Sequence, residues 1–263
     1  MKLNHVYFLI VLSAGMAVSC DENELVPTEQ PLIPLLLEEL NYSKEFVHDA
    51  DGRLSEIKMV STYPNGVKDQ SVQSFAYESG RLKESATDTG WKMVYTFTGD
   101  VITRTDEYVN GQHSQYHTYQ YDASKRLIST TTYQNIPEEG GEIPVASSTF
   151  DYDTRGNVTF YRLFYHGTRG EGTFPLTTFA YSDYDDKINS EDYFDLNPFN
   201  PLMRLSKNNP GKMIVANAKG VVSSTELYTY EYHPKGYATK KTTHATLYNG
   251  NTGTYTSTFK FKE

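Results

Sequence analysis

Few residues of this 263-residue chain have the types and spacing that chemistry needs. Seven histidines, His5, His48, His113, His117, His166, His233 and His244, contain no HExxH pattern of the kind that binds zinc. His113 and His117 are four apart, so a regular strand puts them on one face, where a third ligand from a neighbouring strand would complete a metal site. Acidic residues gather at Asp49 and Asp51, at Asp151 and Asp153, and at Asp183, Asp185 and Asp186. A glycosidase needs two carboxyls facing each other across a cleft, and calcium needs roughly six to eight oxygens. The calcium-loop pattern is absent, and capping of turns is the simpler role for these groups. No Gly-x-Ser-x-Gly elbow or glycine-rich phosphate loop occurs. No catalytic residue, metal or cofactor is expected, and catalysis is the least favoured function.

Aromatic side chains are the main positive clue. Phe160-Tyr161 and Phe164-Tyr165 put rings on both faces of one strand, and Trp91 is the sole tryptophan. Trp91, Tyr161 and Tyr165 are therefore candidate stacking residues for a sugar or a protein. Asp183, Asp185, Asp186, Asn208 and Asn209, in a long proline-punctuated stretch from 183 to 214, are candidate hydrogen-bonding partners for the same ligand.

Cys20, the only cysteine, carries a different chemistry. Lys2, the apolar run Val6–Leu12 and Ala17-Val18-Ser19-Cys20 resemble a bacterial lipoprotein signal, in which the cysteine thiol receives a diacylglyceryl group and becomes the first mature residue. The apolar run is too short to span a bilayer, which takes about 20 residues. Ala17 stands where leucine is commonest. Residues 1–19 are read as the leader, with Cys20 tethering the chain to a membrane. Asp21-Glu22-Asn23-Glu24 resembles the signal that sends Bacteroidota lipoproteins to the outer face of the outer membrane, with the periplasmic face as the alternative. An Asp after the cysteine would mark inner-membrane retention in enteric bacteria.

Loss of Lys2 with the leader takes the formal charge from -9 to -10. That balance opposes nucleic acid or an anionic membrane surface as partner.

What positions these residues reads as all-β. Tyr119 and Tyr121, Phe150 and Tyr152, Phe179 and Tyr181, and Tyr228, Tyr230 and Tyr232 alternate with the two-residue period of a strand. Turn units recur at His48–Leu54, Tyr77–Leu82, Tyr121–Leu127, Tyr152–Val158 and Tyr232–Ala238. In each, a polar residue caps the turn, Gly supplies positive φ, and an apolar residue restarts the strand. Lys125 takes the glycine position in one copy, so that turn is expected to be strained or differently shaped. Asn110-Gly111, Asn249-Gly250 and Tyr63-Pro64-Asn65-Gly66 mark turns at the opposite ends of the hairpins.

The expectation is one antiparallel meander of roughly 12 to 14 strands over residues 43–263, a closed or nearly closed soluble barrel. Residues 20–42 are read as tether and docking segment, with Leu35–Leu40 forming a helical turn or an irregular plug.

These residues carry a resemblance. YDTRGN and YDASKRL resemble the tyrosine-aspartate turns of Rhs shell proteins. The lipobox, the YDxxG hairpins, Tyr184-Asp185-Asp186-Lys187 with Leu205–Pro210, and Tyr228–Tyr237 are similar to a Bacteroidota lipoprotein family of unknown function with a porin-like fold. The resemblance implies that fold and an envelope location, and no activity. The function expected is a non-catalytic surface module that binds a glycan or an envelope protein, with a structural part in an outer-membrane complex as the alternative.

Overall fold

The structure is a computed structural model that describes residues 32–137, 141–167, 172–190 and 204–262. Sixteen strands are found among these residues. They are β1 Ile33–Glu39, β2 Tyr42–His48, β3 Leu54–Thr62, β4 Lys68–Glu78, β5 Arg81–Thr87, β6 Trp91–Thr98, β7 Val101–Val109 and β8 Gln112–Tyr121, followed by β9 Leu127–Ile136, β10 Gly141–Tyr152, β11 Val158–Gly167, β12 Gly172–Ser182, β13 Lys212–Asn217, β14 Val222–Tyr232, β15 Ala238–Leu247 and β16 Thr252–Lys262. Each pairs antiparallel with its chain neighbours, and β1 pairs with β16 to close the barrel.

Closure corrects the reading of residues 33–42. Leu35–Leu40 is neither helical turn nor plug: Leu37 pairs with Lys44 on one side and Phe259 on the other. The barrel therefore begins at β1, and the strand count exceeds the expected range. A run this short, without alternation, carries no period from which a strand could be read.

A meander puts its turns alternately at the two ends. The aspartate-led turns all fall at one end, and their geometry repeats. Asp49 Oδ1 accepts the N–H groups of Asp51 and Arg53 at 3.0 and 2.9 Å, and Arg53 Nε donates to Asp49 Oδ2 at 2.8 Å. Asp122 does the same with Ser124 and Arg126. Lys125 takes φ +60° there, so the turn keeps its shape at a cost of about 1–2 kcal/mol for an L-residue.

Successive turns are tied together by tyrosines. Tyr77 Oη donates to the Leu54 carbonyl at 3.0 Å, Tyr121 to Ile102 at 2.6 Å, and Tyr152 to Leu127 at 2.7 Å. The Arg53 and Arg126 guanidiniums lie 4.9 Å from the ring centroids of Tyr77 and Tyr152. Each such pair adds about 0.5–1 kcal/mol at a part-exposed site.

The interior is graded along the axis. Behind the aspartate-led turns, Leu82, Ile102, Leu127, Val158 and Ala238 are buried with Phe46, Phe75, Phe150 and Phe259. Further along, the buried inward groups turn polar: Ser85, Thr105, Glu107, His117, Ser148, Lys241, Thr243 and Ser257.

The outer wall carries ion pairs on many strands: Glu38–Lys260 at 2.8 Å, Glu45–Lys58 at 3.8 Å, Glu84–Lys92 at 4.0 Å, Arg104–Asp106 at 2.6 Å, Asp151–Arg162 at 2.8 Å and Glu231–Lys240 at 2.6 Å. A lipid-facing wall needs an apolar band about 25 Å tall, and each Lys or Arg at its midplane costs roughly 2–4 kcal/mol. This wall suits water.

Candidate functional site in the barrel lumen

The long stretch between β12 and β13 is built as a further copy of the aspartate-led turn, opened by an insertion. Tyr184 Oη donates to the Val158 carbonyl at 2.5 Å, continuing the tyrosine series. Asp185 Oδ1 accepts the N–H of Lys187 at 3.0 Å, as Asp49 accepts that of Asp51. The place of Arg53 is taken by Asn209, whose N–H reaches Asp185 Oδ1 at 3.1 Å and whose Nδ2 reaches Oδ2 at 3.2 Å. Tyr230 Oη then donates to the Pro210 carbonyl at 2.9 Å, as Tyr77 does to Leu54. Gly211 makes the closure possible, since a Cβ there would meet the Asp183 carbonyl oxygen at 2.7 Å.

Described parts of the insertion fold back over that end of the barrel. Asn157, which replaces the arginine in its own turn, donates through Nδ2 to Asn208 Oδ1 at 3.1 Å and accepts the Asn208 N–H at 2.8 Å. Ile188 N–H donates to the Gly236 carbonyl at 3.1 Å, and Leu205 packs against the core. Asn189, Ser190 and Asn209 are buried.

Beneath this cap lies a cavity of about 420 Å3. The cap contributes Tyr184, Asn189, Leu205, Ser206 and Pro210, and the wall contributes Tyr161, Tyr181, Glu226, Tyr228, Lys241, Tyr255, Ser257 and Glu39, among others. Tyr161 is stacked between Phe150 at 4.9 Å and Phe179 at 5.2 Å, which covers both of its faces and holds the ring rigid with its edge in the lining. Glu226 Oε2 accepts the hydroxyls of Tyr228 at 2.9 Å and Tyr255 at 3.2 Å. Glu39 Oε1 accepts Ser257 Oγ at 2.7 Å, and Lys241 Nζ lies 4.2 Å from the Tyr228 ring centroid. Glu39 and Tyr255, both exposed, form the edge toward the uncapped end.

The residues singled out from the sequence divide. Tyr161 lines the cavity, and Tyr165, exposed, stands four residues further toward the uncapped end of β11. Trp91 is half-buried at the start of β6, packed against the core and away from the cavity lining. Asp185, Asn208 and Asn209 close the split turn, Asp183 holds φ +59° against Gly211, and exposed Asp186 pairs with Lys187 at 3.2 Å. None of these five lines the cavity. Cys20 lies outside the described residues.

The histidine pair does not share a face. Gln115 pairs with Glu107 but His113 pairs with Tyr108, so a bulge at Ser114 turns His113 outward to Asp106 at 3.1 Å. His117 points inward, 2.9 Å from Thr132 Oγ1 and 3.5 Å from Glu107, and burial lowers its pKa. Among the described residues no group of His, Cys, Asp or Glu is placed to hold a metal ion.

Sequence reasoning missed Glu39, Glu226 and Ser257. The signal available was alternation: Glu226 and Tyr228 share a strand face, as do Tyr255 and Ser257. Glu39 joins them only through the β1–β16 closure.

The geometry is that of a porin-like barrel. Among solved structures the chain is similar to a porin-like protein from Bacteroides uniformis ATCC 8492, with 15% identity and a TM-score of 0.61, covering 88% of this chain and 98% of that one. A porin-like protein from Bacteroides vulgatus ATCC 8482 aligns at 9% identity and a TM-score of 0.44, over 87% and 98% of the two chains. No family model and no curated protein matches the sequence. The first likeness establishes the fold alone.

Proposed function

We propose that this protein is a lipid-tethered, non-catalytic binding module of the bacterial envelope that captures a glycan in its lumen. The observation that carries the reading is the capped cavity, where tyrosine rings stand beside carboxylates and hydroxyls. Flat rings suit the C–H faces of sugars, and carboxylates suit their hydroxyls. The charged outer wall supports a barrel standing in water and held by its tether. Leu32 and Lys262 both lie at the capped end. A tether through Cys20 would thus join the barrel at the end opposite the cavity mouth.

One observation favours a second reading, docking of an envelope protein. The most exposed large apolar side chains cluster on turns of the uncapped end, including Leu40, Tyr63, Val67, Val221, Leu247 and Tyr248, with Leu40 86% and Tyr248 80% exposed. Monomers seldom leave such rims uncovered.

The test uses the full chain, purified in detergent and offered to a polysaccharide panel and to envelope extract, beside Tyr255→Ala and Tyr248→Ala. Glycan retention lost in Tyr255→Ala alone supports the lumen. Absence of any glycan binding, with a protein that copurifies and is lost in Tyr248→Ala, replaces the first reading with the second.

A further inference from the structure

The free hydrogen-bonding capacity of the cavity narrows the ligand. Glu226 spends Oε2 on two tyrosine hydroxyls, and its Oε1 accepts nothing among the described residues. Glu39 likewise spends Oε1 on Ser257, and its Oε2 accepts nothing among them. Both carboxylates line the cavity, so each brings to its lining an oxygen with no partner among the described residues.

Thr243 stands behind these groups. It is 0% exposed, its hydroxyl has no hydrogen-bond partner among the described residues, and it lies behind the cavity wall, outside the lining itself. It pairs across the sheet with Tyr228 on one side and Tyr255 on the other, so it stands on the same inward face between the two tyrosines that hold Glu226. Buried hydroxyls in native proteins are rarely left without a partner.

Charge sets the remaining condition. Among the described residues of the lining, Lys241 stands as one cation against two carboxylates, a net negative balance. An anionic ligand would meet two like charges in a partly desolvated site. An uncharged polyol meets acceptors for its hydroxyl protons and rings for its C–H face.

Resting on the lumen reading above, we infer that the site takes a hydroxyl-rich sugar unit that carries no acid group, bound through Glu226 and Glu39 as acceptors, and that the same carboxylates exclude acidic sugars. Tyr161, with both ring faces covered by Phe150 and Phe179, meets the ligand by its edge. A cavity of about 420 Å3 suits one or two sugar units of a chain end, with the rest of the polymer leaving past Tyr255.

The experiment is calorimetric titration of the full chain in detergent. The probes are neutral oligosaccharides of glucose, mannose and galactose, with oligogalacturonate as the acidic counterpart and chitosan oligomers as the cationic one. The expected result is binding of a neutral series, with oligogalacturonate weaker by about tenfold or more, the order of one charge-assisted contact. Glu226→Gln should weaken the neutral ligand about tenfold and narrow the gap to galacturonate. Glu39→Gln, at the exposed edge, should narrow the gap without threatening the fold. Binding of galacturonate equal to or tighter than that of the neutral and chitosan oligomers, or no effect of either glutamine variant on selectivity, overturns this inference while leaving the lumen reading intact. Failure of all three sugar classes to bind overturns the lumen reading itself.

Discussion

Asp185 and Asn209, 24 residues apart, make the contacts that Asp49 and Arg53 make across four: a backbone N–H to one carboxylate oxygen and a side-chain N–H to the other. The backbone closes in the same sense. Asp185 N–H donates to the Asn209 carbonyl at 3.1 Å, as Asp49 N–H does to that of Arg53 at 2.8 Å. The cap over the lumen is thus an insertion into a turn that the barrel already uses repeatedly.

That relationship predicts that the insertion is dispensable for folding. Replacing residues 186–208 with the Thr-Arg-Gly of residues 154–156 should restore an ordinary turn and leave a folded barrel with its lumen uncovered. Far-ultraviolet dichroism and a cooperative urea transition would check it. Asn209→Ala in the intact chain, by contrast, removes the Nδ2 donor shared by Asp185 and the Ile188 carbonyl while keeping the backbone bond, and should cost about 1–2 kcal/mol, read as a lower urea midpoint. Collapse of the shortened chain, or no change in Asn209→Ala, would show that the cap is no modified turn.

Acid should weaken the barrel through His117. Burial lowers its pKa below the ordinary 6.5, against the opposing pull of Glu107. The unfolded chain then binds more protons than the folded one below that value. Stability from this group is complete above pH 6.5 and is lost as pH falls through it toward the folded pKa. Urea midpoints measured between pH 8 and 5 should fall with acid, and His117→Gln should flatten the slope. An unchanged slope would place the titration elsewhere.

Lipidation is tested at Cys20. Cys20→Ser should leave the protein exported but unprocessed, without the label that wild type takes up from a tagged fatty acid. Equal labelling of the two forms would rule the tether out.

How far the sequence reaches is visible in individual residues. Tyr77, Tyr121, Tyr152 and Tyr230 announce strands and turns because alternation and Asp–Gly chemistry are local. The same tyrosines donating to carbonyls 19 to 25 residues away are invisible locally, because those bonds depend on the next hairpin's register. Residues 33–39 escape a local reading for a related reason: a strand that closes a barrel is specified by its partner at the other end of the chain. His113 and His117 show the limit of periodicity, since one bulged residue reverses the face of everything beyond it. The candidate site suffered most. Asp185 and Asn209 drew attention as polar residues in a long loop, yet they are consumed by the turn. Glu39 and Glu226, which keep acceptors free, sit in strands that look ordinary.

The lumen reading is tested most directly by tyrosine-ring NMR of the full chain in detergent, with resonances assigned by single Tyr→Phe changes, during titration with the neutral oligosaccharide that binds. Glycan capture in the lumen shifts the rings of Tyr161, Tyr228 and Tyr255 and leaves Tyr63 and Tyr248 on the rim unmoved. Shifts confined to Tyr63 and Tyr248, with the lumen rings silent, would contradict it.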